Sequence, residues 1–436
     1  MGLSESTLEY NKKNTGIQSH KFFMQNYHFN YIKALNLTPE NELNTLYDLI
    51  ETKKQLKSDK IASECILNFS HYCEFSKEHD QTILHAIDII NQNEPLLFLF
   101  NLIQCGLTST DYPFHKFPEI SHLLNNSGNI LYLIALLNLC PQIIKKYEEV
   151  NTPEDIIRNT LLQFRDYNNT HMHYNKKKLG IQPGSFNWSR LYLNAELFRI
   201  GRMEFRLKPL HKPIRYYKNK TSKENVLFFN ILDEESNFNK LNQYGYIKFL
   251  NDQDTNNQIW KPEFQEDEKS ITGFPISRKG HVLNQKKSIV KSEWDLILDY
   301  DDLILDMHIP AAGPMGKDLC MESYKEAFLF FKSRNPQLKI NCIYCTSWLL
   351  SPQLFEIIPK SNTTNLMDSY HLFPTPSNKN DGLSFIFGKE YEDWSKAPQD
   401  TSLQRKIVNN IIQGNYFRLG SMLLTEDEIE EYLNSH

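Results

Sequence analysis

Apolar positions follow one period in the first third of the chain and a mixture of periods in the rest. From Lys21 to Tyr147 they recur at helical spacing. Leu43, Leu46, Leu49 and Ile50 form one stripe, and Ile83, Ile87 and Ile90 form another. Leu96, Leu97, Leu99 and Phe100 lead into a segment that is apolar nearly all round, as is Asn129 to Tyr147 with Pro141 as a break or kink; such segments have to be buried. Pro113 and Pro118 punctuate a loop between them. Thr152-Pro153-Glu154-Asp155 predicts a helix start, because Thr can cap, Pro suits the first turn and acids favour the dipole. The helix is expected over 154–167, followed by a polar connector holding His171 and His173. Trp188 to Arg199 reads as one more helix, with Gly201 as its C-cap.

Period 2 then takes over. Met203, Phe205 and Leu207 alternate with Arg202, Glu204 and Arg206. Val226–Leu232 and Tyr244–Leu250 are apolar runs of strand length, among polar segments that read as insertions around 218–270. Leu303, Leu305, Met307 and Ile309 alternate with Ile304, Asp306, His308 and Pro310, so Asp306 and His308 share one face of a strand. The small residues Ala311 to Gly316 follow, and a helix begins near Lys317 with Cys320, Tyr324, Ala327, Phe328 and Phe331 at helical spacing. A helix start has unpaired N–H groups and a positive dipole end, so this stretch is either an anion cradle or an ordinary strand-to-helix connection. Lys339–Leu350, Ser361–Phe373 and Leu383–Phe387 are expected strands, Thr401–Gln413 an amphipathic helix, and the acidic TEDEIEEYLNSH a surface helix. The charged Lys145-Lys146-Tyr147-Glu148-Glu149 before the helix start predicts a domain boundary, with a helical domain over 1–150 and an α+β domain over 151–436.

At 436 residues and 40% hydrophobic content the chain can build two or three cored domains. A net charge of −5 argues against a dedicated nucleic-acid binder. The longest apolar run, Ile130–Cys140, is shorter than the roughly 20 residues of a membrane span, so no membrane is expected. MGLSESTLEYNKKN has no apolar signal-peptide core, which predicts a cytoplasmic location. The seven cysteines are an odd number and mostly scattered, as reduced buried thiols would be. Cys342 and Cys345 have metal-knuckle spacing but lie in an apparent strand without a second ligand pair, and His171 and His173 lack a third ligand; no metal is expected.

Three stretches together resemble a known family: RLYLNAELFRIGRMEFRL (Arg190–Leu207), GFPISRKGHVL leading to LILDMHIPAAGP (Gly273–Pro314), and CTSWLLSPQL with PKSN (Cys345–Asn362). PQDTSLQRKI (Pro398–Ile407) also fits. They resemble the bacterial N-acyltransferases that join a helical N-terminal domain to a GNAT-like C-terminal domain. The resemblance implies a helical domain followed by a GNAT-like mixed sheet flanked by helices. It implies transfer of an acyl group from acyl-CoA (acetyl-CoA or a longer chain) to a small-molecule or peptide amine. Ala311, Ala312, Gly313, Met315, Gly316 and Lys317 would then hold the CoA phosphates, and the gap between the strands ending at Pro310 and Leu350 would admit the pantetheine arm. His308 is the candidate base with Asp306 or Glu204 behind it, Ser347 a candidate donor to the oxyanion or thiolate, and Trp348 a residue shaping the substrate pocket. Two positions depart from the family pattern: the glycines of the loop are spaced as Gly313 and Gly316 around Pro314, which has no N–H, and Thr346 stands where the family has histidine. The alternatives are a non-catalytic acyl-CoA or peptide-binding module, and a scaffold whose helical half binds a protein partner.

Overall fold

The computed structural model describes residues 35, 59–108, 117–230, 240–251, 259–311 and 313–435. The expected stripe Leu43–Ile50, Pro113 and the loop residue Ala312 lie outside them. The chain divides into two compact units, Met1–Phe198 and Arg199–His436.

The first unit is helical: α1 (Ser63–Tyr72), α2 (Asp80–Gln92), α3 (Glu94–Thr108), α4 (Ile130–Glu149) and α5 (Glu154–Tyr174). All the others pack on α4. By length and composition α4 could cross a bilayer; here its first ten residues, apart from Asn138, are buried, as a core helix requires, and Pro141 does not interrupt it. The unit ends after Phe198 rather than near 150. The reason is packing: α5 buries Ile157, Leu161 and Phe164, and Tyr147 of α4 donates its hydroxyl to the Leu197 carbonyl at 2.5 Å. Helix α5 also runs on through the expected connector. His171 is buried in it, its Nδ1 donating to Lys178 O at 3.0 Å and its Nε2 accepting from Asn129 at 3.1 Å. Burial lowers its pKa, so this histidine is a neutral structural tie.

Among the described residues the second unit has these strands in chain order, the first starting at the boundary: β1 (Phe198–Ile200), β2 (Met203–Pro209), β3 (Ile214–Asn219), β4 (Asn225–Phe229), β5 (Leu241–Asn242), β6 (Ile259–Trp260), β7 (Phe264–Glu266), β8 (Ser270–Pro275), β9 (Lys287–Val290), β10 (Trp294–Leu298), β11 (Leu303–His308), β12 (Cys342–Ser347), β13 (His371–Pro374) and β14 (Gly420–Thr425). The principal sheet has the order β1-β2-β11-β12-β14-β13, and β11 and β12 are its parallel pair. A second sheet, β10-β3-β4-β8-β7 with β9 on β8, is antiparallel. The region 218–270, expected to be an insertion, supplies β4 and β7 of that sheet.

The two faces of the principal sheet have different covers. Met203, Phe205 and Met307 are buried on one face, where Phe205 meets Tyr324 of helix α6 (Lys317–Arg334) edge-on at 6.3 Å. On the other face Ile304, Cys342, Tyr344, Phe373 and Leu423 pack against Ile214, Tyr216, Leu227 and Leu298 of the second sheet. Each fully buried side chain of this size contributes about 1.5–3 kcal/mol. Helices α7 (Ser402–Ile412) and α8 (Glu426–Ser435) follow; α8 packs on α6.

Several expected elements take another form. Ser361–Phe373 is not one strand: Ser361 and Thr364 form a capping box that starts the helix Asn362–Met367, and β13 follows it. Leu383–Phe387 is a helical turn closed by Gly388 in the left-handed conformation. Tyr244–Leu250 turns at Gly245, φ +79°, where a Cβ would lie 2.0 Å from Val282 O. Arg190–Leu193 is one helical turn, broken by Ala195 at φ 52°, so Gly201 turns β1 into β2 instead of capping a helix.

Candidate active site

Strands β11 and β12 share ladder pairs at Leu305–Ile343 and Asp306–Tyr344 and at no later position. Each is fully paired on its other side, β11 with β2 and β12 with β14. A gap therefore opens at the carboxyl ends of this parallel pair, the place where open sheets receive ligands. Strand β11 stops at His308, and the chain passes through the small-residue loop into α6.

Arg202 organises that loop. Its Nε donates to Pro314 O at 3.0 Å, and its Nη2 donates to Pro310 O and Gly313 O, both at 3.1 Å. Three carbonyls are thus turned toward a buried guanidinium. Gly313 stands at φ +90°, and a Cβ there would come 3.4 Å from Arg202 Nε. Gly316 is the N-cap of α6 and brings no side chain to its first turn. Lys317 places its ammonium 4.3 Å from the Tyr432 ring centroid, and Tyr432 donates to Asp318 at 2.6 Å. The cradle fits an anionic group: its glycines keep the backbone approachable and no capping side chain covers the helix start.

Beside the gap, on the face turned to the second sheet, lies a cleft of about 420 Å³ walled by Asp306, His308, Arg206, Lys208, Lys212, Tyr344 and Thr346. Alternation brings most of these together. Arg206 stands opposite Asp306 and Glu204 opposite His308 on the antiparallel ladder, and Tyr344 opposite Asp306 on the parallel one. Asp306 Oδ2 accepts from Arg206 Nε at 2.8 Å, Lys208 Nζ at 2.9 Å and His308 Nε2 at 3.1 Å. Burial works to raise the Asp306 pKa, but the hydrogen bond and charge of His308 and then Lys208 outweigh it and hold the carboxyl well below its usual range. Thr346 Oγ1 bridges the Tyr344 hydroxyl and Ser421 Oγ, the latter at 2.6 Å. Burial raises the Tyr344 pKa, so its phenol stays protonated.

Residues 197–422 match the GNAT-like C-terminal domain family. The chain belongs to that family. Its fold is similar to that of an acyltransferase solved with decanoyl-CoA and teicoplanin, at TM-score 0.52 and 15% identity, over 82% of this chain and 86% of that one. A mutant acyltransferase solved with octanoyl-CoA gives TM-score 0.51 at 15% identity, over 83% of this chain and 88% of that one. No curated protein matches.

In this GNAT-like domain the expected residues Asp306 and His308 meet in the cleft, with Glu204 buried opposite His308. Ala311, Gly313, Met315, Gly316 and Lys317 follow as the loop and helix start. Ser347 and Trp348 do not line the cleft. Ser347 Oγ accepts from Leu349 N at 3.2 Å, capping a 3-10 turn, and a Cβ on Gly382 would lie 2.7 Å from the Trp348 Cβ. The reason is parity: Tyr344 and Thr346 point to the cleft, and Ser347 is one residue out of step. Arg206 and Lys208 were findable by the same parity from Glu204; Arg202 shares that parity but stands before the first residue of β2, and Lys212 lies past its last. Among the described residues no three His, Cys, Asp or Glu side chains gather to hold a metal ion.

Proposed function

We propose that the chain transfers an acyl group from acyl-CoA to an amine. The observation that carries this reading is the Asp306–His308 pair on the last residues of β11, directly before the Arg202-braced loop. Gly313, Gly316 and the first amides of α6 would hold the CoA phosphates. The thioester supplies an activated acyl group when bound. His308, held through Nε2 by Asp306, would take the proton from the attacking amine. The Tyr344 and Thr346 hydroxyls, in place of Ser347, are the donors within the cleft.

The acyltransferases of similar fold were solved with octanoyl- and decanoyl-CoA, and one with teicoplanin. Medium-chain acyl-CoA and a small-molecule or peptide amine are therefore the first donor and acceptor to try. Calorimetry with acetyl-, octanoyl- and decanoyl-CoA tests the reading, followed by thiol release with added amine. Absence of binding by all three at millimolar concentration ends it. Pro314, without an N–H in the loop, and Thr346, in place of the family histidine, favour a second reading as an acyl-CoA binder without turnover. That reading requires binding with no thiol released for any amine.

A further inference from the structure

The cleft beside His308 carries more positive charge than the acyl-transfer reading uses. Its cations are Arg206, Lys208 and Lys212, and its one carboxylate among the described residues is Asp306. Asp306 is already bonded by Arg206 and Lys208. Among the described residues no carboxylate lies within ion-pair distance of Lys212. Its ammonium sits 5.8 Å from the Tyr344 ring centroid, and that of Lys208 sits 5.4 Å from the same ring. Two ammonium groups thus converge on one aromatic ring, inside a cleft large enough for a small molecule.

Like charges brought together and partly desolvated repel, and an anion placed between them relieves the cost. Burial and then the charge of Lys208 do lower the Lys212 pKa. The position of the pair separates this anion from the CoA phosphates. Lys208 stands opposite Ile304, four residues before His308 and on the side away from the loop, and its ammonium reaches forward to Asp306 Oδ2 at 2.9 Å. Lys212 lies further on, past the end of β2.

We propose that Lys208 and Lys212 form an acceptor subsite that holds an anionic group, a carboxylate or a phosphate, carried on the same molecule as the attacking amine. The amine end would then face His308. This inference rests on the acyl-transfer reading and narrows its acceptor class to amines bearing an acidic group.

The test uses matched amine pairs and the full chain. Phosphoethanolamine is compared with ethanolamine, and β-alanine with β-alaninamide, by calorimetry at low salt with and without decanoyl-CoA. The anionic member of at least one pair should bind tenfold tighter or more, and which pair responds distinguishes phosphate from carboxylate. The preference should shrink as salt rises. It should vanish in Lys212→Met and persist in Lys212→Arg, while both variants keep decanoyl-CoA binding. Equal binding within both pairs, or a preference that survives Lys212→Met, overturns the proposal. If Lys212→Met does not fold, the wild-type contrast and its salt dependence decide. A chain that shows the anion preference but binds no acyl-CoA would sink the acyl-transfer reading alone.

Discussion

Asp306 is buried to 3% exposure and still ionised, because three donors converge on one of its oxygens. Asp306→Asn would leave Arg206 and Lys208 without their counter-charge, at a cost of about 3 kcal/mol in stability, readable by urea unfolding. His308→Gln separates chemistry from structure: it keeps a hydrogen-bonding group but cannot take a proton. The variant should fold and bind acyl-CoA while losing about 10²–10⁴ in turnover. Unchanged turnover with a lowered melting temperature would make His308 a structural residue and send the search for the base to Glu204. The acid and the histidine were legible because strand alternation alone sets their common face. Arg202 and Lys212 were not, since what they touch depends on tertiary packing across more than 100 residues of sequence for Arg202 and on a turn geometry for Lys212.

At the scale of elements, the loop before α6 is shaped by one side chain. Arg202→Ala would leave the carbonyls of Pro310, Gly313 and Pro314 without their common donor, and acyl-CoA affinity should fall at least about tenfold, equivalent to about 1.4 kcal/mol. Gly313→Ala should also destabilise the chain, by about 1 kcal/mol or more, since φ is +90° there. Helix α8 is fastened through Glu428, which takes His371 Nε2 at 2.5 Å, the Tyr216 hydroxyl at 3.1 Å and Thr425 N at 3.0 Å. Burial opposes ionisation of Glu428, but the hydrogen bond and charge of His371, with the Thr425 bonds, bring its pKa from 4.5 to about 2. A depressed carboxylate adds stability above its unfolded pKa, and that stability is lost as pH falls from 4.5 toward 2. Melting temperature should drop more steeply across that window in the wild type than in Glu428→Gln. Alternation revealed β2 and β11, whereas β14, Gly-Ser-Met-Leu-Leu-Thr, is buried at every position and so has no polar face to mark it. Ser361–Phe373 misled because its Thr and Leu content suits a strand, while the capping box that decides the matter is a local hydrogen-bond pattern.

For the whole molecule, the domain boundary was the least legible feature. A charged stretch before a strong helix start looks like a linker, yet α4 and α5 on either side of it pack together, and only their contact shows it. Expressed alone, residues 197–436 should give strand-rich circular dichroism and one cooperative melt. Residues 151–436 should fare worse, because α5 would expose Ile157, Leu161 and Phe164 without α4. Size-exclusion chromatography of the two fragments checks this; a monodisperse longer fragment and an aggregated shorter one would place the boundary back near 150.

The place of β14 also has a meaning in time. Among the described residues it is the last strand in chain order, yet it lies between β12 and β13 and is the bridge that joins them. While residues 420–425 are still being made, β12 has an open edge and β13 has no neighbour in its sheet. The principal sheet cannot close during synthesis until that point, however long ago its other strands emerged. A nascent chain of this design carries the unpaired edge of β12 from residue 347 until β14 emerges, the circumstance in which chaperones and slow aggregation compete for a protein.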